Sequence, residues 1–117
     1  MKKLFAAILV LAATQGHWAQ AIQMASPKSN KIVKLCSAQD SEVADAACQA
    51  FVEGVAGATA FYGAAQQMTL PFCIPSATTG AELVKVYRAF LDDNHALRQF
   101  SAAGLAITAF RAQYPCE

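Results

Sequence analysis

Few residues in this 117-residue chain could do chemistry, and their spacing narrows what they could do. His95 stands close to Asp92 and Asp93, which supplies a base and a carboxylate to orient it. Catalysis by such a pair also needs a nucleophile within hydrogen-bond reach. No serine sits in a strained elbow motif, and the cysteine spacing points to another use. Asp92 and Asp93 are sequence neighbours, so they do not face each other on a helix and read as a solvated helix end or part of a binding loop. Phosphate loops, nucleotide fingerprints and metal-ligand clusters do not occur in the sequence. His95 therefore reads as a turn residue. The chain reads as a binding or structural protein with no catalytic residue and no cofactor, rather than an enzyme.

Cys36, Cys48, Cys73 and Cys116 contain no Cys-x-x-Cys pair and have no histidine at metal-ligand spacing, which argues against zinc. In an exported protein an even number of cysteines reads as two disulfides. The chain's start favours export. Met1-Lys2-Lys3, an apolar run from Leu4 to Ala13, and Ala19-Gln20-Ala21 follow the order of a secretory signal peptide. That run falls short of the roughly 20 residues a membrane span requires. Cleavage after Ala21 would leave residues 22–117 as one exported domain with seven basic and eight acidic side chains. Such a balance favours neither nucleic acid nor a membrane surface as partner.

Helices must position these residues. A short one is expected over Lys31–Cys36. Asp40 is expected to cap a long one reaching about Gln67, with Cys48, Phe51, Val52, Val55, Thr59 and Tyr62 recurring at helical spacing. Gly54, Gly57 and Gly63 make that helix thin enough for close packing, within the domain or against a partner. Phe51, Phe61 and Tyr62 suit either a core or a dimer interface. Thr79-Gly-Ala-Glu82 has the form of a capping box and opens a third helix with Leu83, Val84, Tyr87, Phe90 and Leu91 inward. Ser101 caps a fourth helix ending near Gln113. Without alternating strand-like runs, the fold class is all-α, a small four-helix domain.

The layout also pairs the cysteines. Cys48 lies about 28 Å of helix from the start of the connector that holds Cys73, too far for a bond. Cys36 and Cys48 flank one short turn, and Cys116 returns antiparallel to the start of the third helix beside Cys73. The expected disulfides are Cys36–Cys48 and Cys73–Cys116. Pro71 and Pro75 stiffen the connector around Cys73.

Taken in order, Cys48-Gln-Ala-Phe-Val-Glu-Gly54, Phe72-Cys-Ile-Pro75, Val86-Tyr-Arg-Ala-Phe-Leu91 and Ala109-Phe-Arg-Ala-Gln-Tyr-Pro-Cys116 resemble the Rap/Tai family of immunity proteins. The resemblance implies a small exported helical protein, commonly a homodimer. Such a protein blocks the cleft of a peptidoglycan amidase delivered by type VI secretion. Plugging a cleft calls for a protruding polar loop, and Asp92 to Gln99 supplies one with Asp92, Asp93, Asn94, His95 and Arg98. The connector from Gln66 to Thr78 is the second candidate. A different class of function, a periplasmic acid-stress chaperone of the HdeA type, would expose apolar helix faces once its carboxylates were protonated.

Overall fold

The structure is a computed structural model that describes residues 29–38 and 41–117, with side chains from residue 31 onward. The expected signal peptide over residues 1–21 lies outside the described residues. Four α-helices follow one another: α1 (Ser29–Ser37), α2 (Glu42–Ala64), α3 (Gly80–Asp93) and α4 (Ala102–Gln113). A 3-10 turn, His95–Leu97, connects α3 to α4, and the described residues contain no strand.

Local chemistry sets each boundary. Ser41, rather than Asp40, caps α2: its hydroxyl accepts from the Ala44 N–H, and Glu42 and Asp45 occupy the first turn, where carboxylates favour the helix dipole. Asp40 itself lies outside the described residues. α2 stops at Ala64, short of the expected Gln67, because Gln66 turns to a φ of 56° and the Gln67 N–H folds back to the Tyr62 carbonyl. The capping box of α3 forms as expected. The Glu82 N–H donates to the Thr79 hydroxyl (3.2 Å), and the Thr79 N–H donates to the Glu82 carboxylate (2.6 Å). Those bonds hold the exposed Glu82 carboxyl below its usual range, the Thr79 N–H contributing most and the Thr79 hydroxyl next.

The core is a single cluster built from all four helices. Val33 and Cys36 of α1, Cys48 and Val52 of α2, Leu83, Val84, Tyr87 and Leu91 of α3, and Leu105, Ala109 and Phe110 of α4 are all buried in it. Phe72 of the connector joins them, edge-on to Phe110 with ring centroids 5.5 Å apart. Tyr87 is fully buried, and its hydroxyl donates to the Ala102 carbonyl at 3.1 Å, tying the start of α4 to the middle of α3. Burial pushes the Tyr87 phenol up to about 12.

Both expected disulfides form: Cys36–Cys48 closes the α1–α2 turn and Cys73–Cys116 joins the connector to the tail, each with Cα atoms 4.9 Å apart. Sequence reasoning missed the clamp on the first of these turns. From α3, Arg88 donates to the carbonyls of Cys36 and Ala38 and pairs with Asp45. One guanidinium thus fixes the end of α1 and the start of α2 at once.

Candidate functional site: two outward surfaces

Two surfaces are candidates for contact with a partner. The first is the polar segment between α3 and α4. Much of its hydrogen-bonding capacity is turned inward. Asn94 donates from Nδ2 to the Phe90 carbonyl at 2.8 Å and so holds one of the terminal carbonyls of α3. Arg98 donates to the Leu91 carbonyl at 3.0 Å and to Asp92 at 3.1 Å. Of the five polar side chains singled out in the sequence, Asp92, Asn94 and Arg98 therefore build the frame of the turn, while Asp93 and His95 point out from it exposed. The outcome is a braced turn rather than a loose loop. Beside it, a groove of about 530 Å³ runs between α3 and α4, lined among others by Glu82, Lys85, Phe90, Asp93 and Tyr114. Burial, and then the Glu82 carboxylate, raise the Tyr114 phenol.

The second surface is the outer side of α2. At 100° per residue, the positions within about 60° of the direction opposite Val52 are Val43, Ala46, Ala47, Ala50, Gly54, Gly57, Ala58, Phe61 and Ala64. None is polar, and all but the half-buried Ala47 are exposed, Val43 at 78% and Phe61 at 68%. A surface helix ordinarily carries charges on its outward side; on α2 Glu42, Gln49 and Glu53 stand outside this arc, and a contiguous exposed apolar face of this kind marks a contact surface. Tyr62, which the sequence left open between a core and an interface, is 52% exposed and stacks edge-on against Phe61.

The glycines divide along the same line. Gly63 serves the domain's own packing: a Cβ there would fall 2.2 Å from Leu70 Cδ2, so its absence lets the connector lie on the helix. At Gly54 and Gly57 a Cβ would meet nothing within 4 Å. The connector, second candidate in the sequence, forms with α2 an apolar groove of about 460 Å³ lined by Gly57, Ala60, Leu70, Phe72 and Ile74 among others.

These features define a class first: a small, disulfide-braced helical protein whose surfaces suit contact with macromolecules. Residues 28–116 match the model of the Rap1a immunity proteins, and the chain belongs to that family. Neither the curated proteins nor the solved structures yield a match. Membership implies that the protein works by binding a partner effector. Among the described residues no helix is long and apolar enough to cross a membrane.

Proposed function

We propose that this protein acts in the periplasm as the immunity partner of a peptidoglycan amidase delivered by type VI secretion, binding the effector and occluding its catalytic cleft. The match of residues 28–116 to the Rap1a immunity proteins carries this reading. The signal-like start and two formed disulfides agree with an oxidising compartment. Cleft plugging favours a pre-organised element, and the bracing of the Asp92–Gln99 segment, with Asp93 and His95 exposed, supports its use as the contact.

The protein is further proposed to work as a homodimer through the outer face of α2. Residue sizes on that face repeat in reverse about the level of Val52. Pairing two copies antiparallel sets Val43 against Phe61, Ala47 against Gly57 and Ala50 against Gly54, large ends closing over a small centre. A two-fold interface needs this kind of self-complementarity.

The test is capture from the producing cell's periplasm with tagged residues 22–117 as bait, followed by mass spectrometry. Recovery of one secreted amidase at near-equal stoichiometry is expected. Recovery of nothing at neutral pH, but of many unrelated proteins at about pH 2–3, below the usual carboxylate range, would replace this reading with the acid-stress chaperone.

A further inference from the structure

The two disulfides lie in opposite surroundings. Cys36 and Cys48 are 0% and 1% exposed, packed in the core cluster with Val33 and Val52. Cys73 and Cys116 are both exposed, and each lies at the edge of an open groove. Cys73 borders the apolar groove between α2 and the connector. Cys116 borders a second one, of about 440 Å³, with Leu70, Pro71 and Arg111. Thiol–disulfide exchange begins with a thiolate reaching a disulfide sulfur, so access decides which bond exchanges, and exposed disulfides are the labile ones. Arg111 lines the same groove and adds a cation that favours a thiolate there.

We propose that Cys73–Cys116 is a reducible strap, opened by a dithiol while Cys36–Cys48 stays closed, and that opening it releases the connector wall of the apolar groove without unfolding the helices. One thiolate of the dithiol attacks Sγ of Cys73 or Cys116. The S–S bond breaks, and the other cysteine leaves as a thiolate that takes up a proton. The dithiol's second sulfur then attacks the mixed disulfide, frees the remaining cysteine and closes the donor's own disulfide. Two electrons and two protons pass from donor to strap.

The reason only the connector responds lies in what else holds it. Apart from the strap, its middle is anchored by the Cys73 N–H donating to the Tyr114 carbonyl at 2.8 Å and by Phe72 against Phe110. Leu70, a wall of both grooves, is itself exposed and rests on Gly63. The helices keep their shared core and the clamp of Arg88 on the α1–α2 turn.

The experiment treats the mature chain with graded dithiothreitol at about pH 8, where a useful fraction of thiolate exists. It then traps thiols with iodoacetamide, maps them by peptide mass spectrometry, and follows amide exchange in parallel. Cys73 and Cys116 should label about 100-fold faster than Cys36 and Cys48, the ratio reflecting the opening that the buried pair requires. Exchange should rise over residues 66–78 and 114–117, with the helical circular dichroism kept. Simultaneous labelling of all four cysteines, earlier labelling of Cys36 and Cys48, or loss of helix on selective reduction would overturn the proposal. A double variant, Cys73→Ser with Cys116→Ser, should reproduce the exchange pattern of the reduced form. An unchanged connector in that variant would equally refute the strap.

Discussion

The α3–α4 segment and the outer face of α2 both point outward, and they have used their binding capacity in opposite ways. In the segment, Asn94 and Arg98 donate to carbonyls of α3 and Asp92 accepts from Arg98, so most of a polar set that resembles a recognition site serves its own turn. On α2, the exposed stripe from Val43 to Phe61 has no polar group to satisfy, and a Cβ at Gly54 or Gly57 would meet nothing within 4 Å, Gly57 also bordering the connector groove. Polar residues near one another are therefore weak evidence for a partner until their hydrogen bonds are traced. Apolar residues on the wrong side of a helix are stronger evidence, because water is a poor neighbour for them.

The largest expected effect comes from placing charge on the apolar face. Gly54→Glu would bring a carboxylate and its copy together near the proposed two-fold axis, where burying like charges is costly. The dimer dissociation constant measured by sedimentation should rise by about 100-fold or more, while the melting temperature of the dissociated protomer should not fall, because the site is open and a mid-helix glycine gives way to a good helix former. A dimer that survives Gly54→Glu and Phe61→Glu would show that this face is not the interface.

Next in size is an alkaline effect centred on Tyr87, with a further contribution from Tyr114, whose phenol is also raised. Tyr87 holds the start of α4 through Ala102, and its folded pKa of about 12 lies above the ordinary tyrosine value near 10. Between those values the unfolded chain binds fewer protons than the native one, so stability is fully present below about pH 10 and falls as pH rises toward 12. The loss should reach about 2–3 kcal/mol in urea melts, and Tyr87→Phe should flatten the slope. The outer face of α2 carries no ionisable group and should not share this titration.

Within the segment itself, Arg98→Ala should cost about 1 kcal/mol, since two of its hydrogen bonds close the turn. Asp93→Ala with His95→Ala should change stability by less than about 0.5 kcal/mol, yet weaken effector capture. Denaturant melts and pull-down on the same variants separate the two roles. Equal capture by the double variant would remove Asp93 and His95 from the contact.

What was legible in the sequence follows physical range. The capping box at Thr79–Glu82, the Ser101 cap and the inward sets of α2 and α3 are written in residues a turn or two apart, and the cysteine pairing followed once those helices were placed. Arg88 was not legible: its carbonyl partners at Cys36 and Ala38 are backbone groups about fifty residues away, and no side-chain pattern announces them. The 3-10 turn at His95–Leu97 escaped for a related reason, being fixed partly by the Arg98 reach back to Leu91. Tyr62 followed the helical period but lies near the end of α2, where the exposed connector leaves it uncovered. The glycines signalled close packing, but periodicity alone does not distinguish a face covered by the same chain from one covered by another.

One modest effect is the sharpest, because its sign depends on what covers α2. In an isolated protomer Gly57→Ala adds a methyl where nothing lies within 4 Å, and exchanging a mid-helix glycine for alanine should stabilise by up to about 1 kcal/mol. In the proposed antiparallel pair the same methyl meets Ala47 of the second copy, where two backbones approach because both residues are small, and association should weaken. Dilute and concentrated samples of one variant should thus shift in opposite directions. Gly63→Ala sets the control: its methyl would run into Leu70 of the same chain, so its effect should not depend on concentration. If Gly57→Ala is as indifferent to concentration as Gly63→Ala, the outer face of α2 faces water in the working protein, and the comparison between the two surfaces reverses in favour of the polar segment.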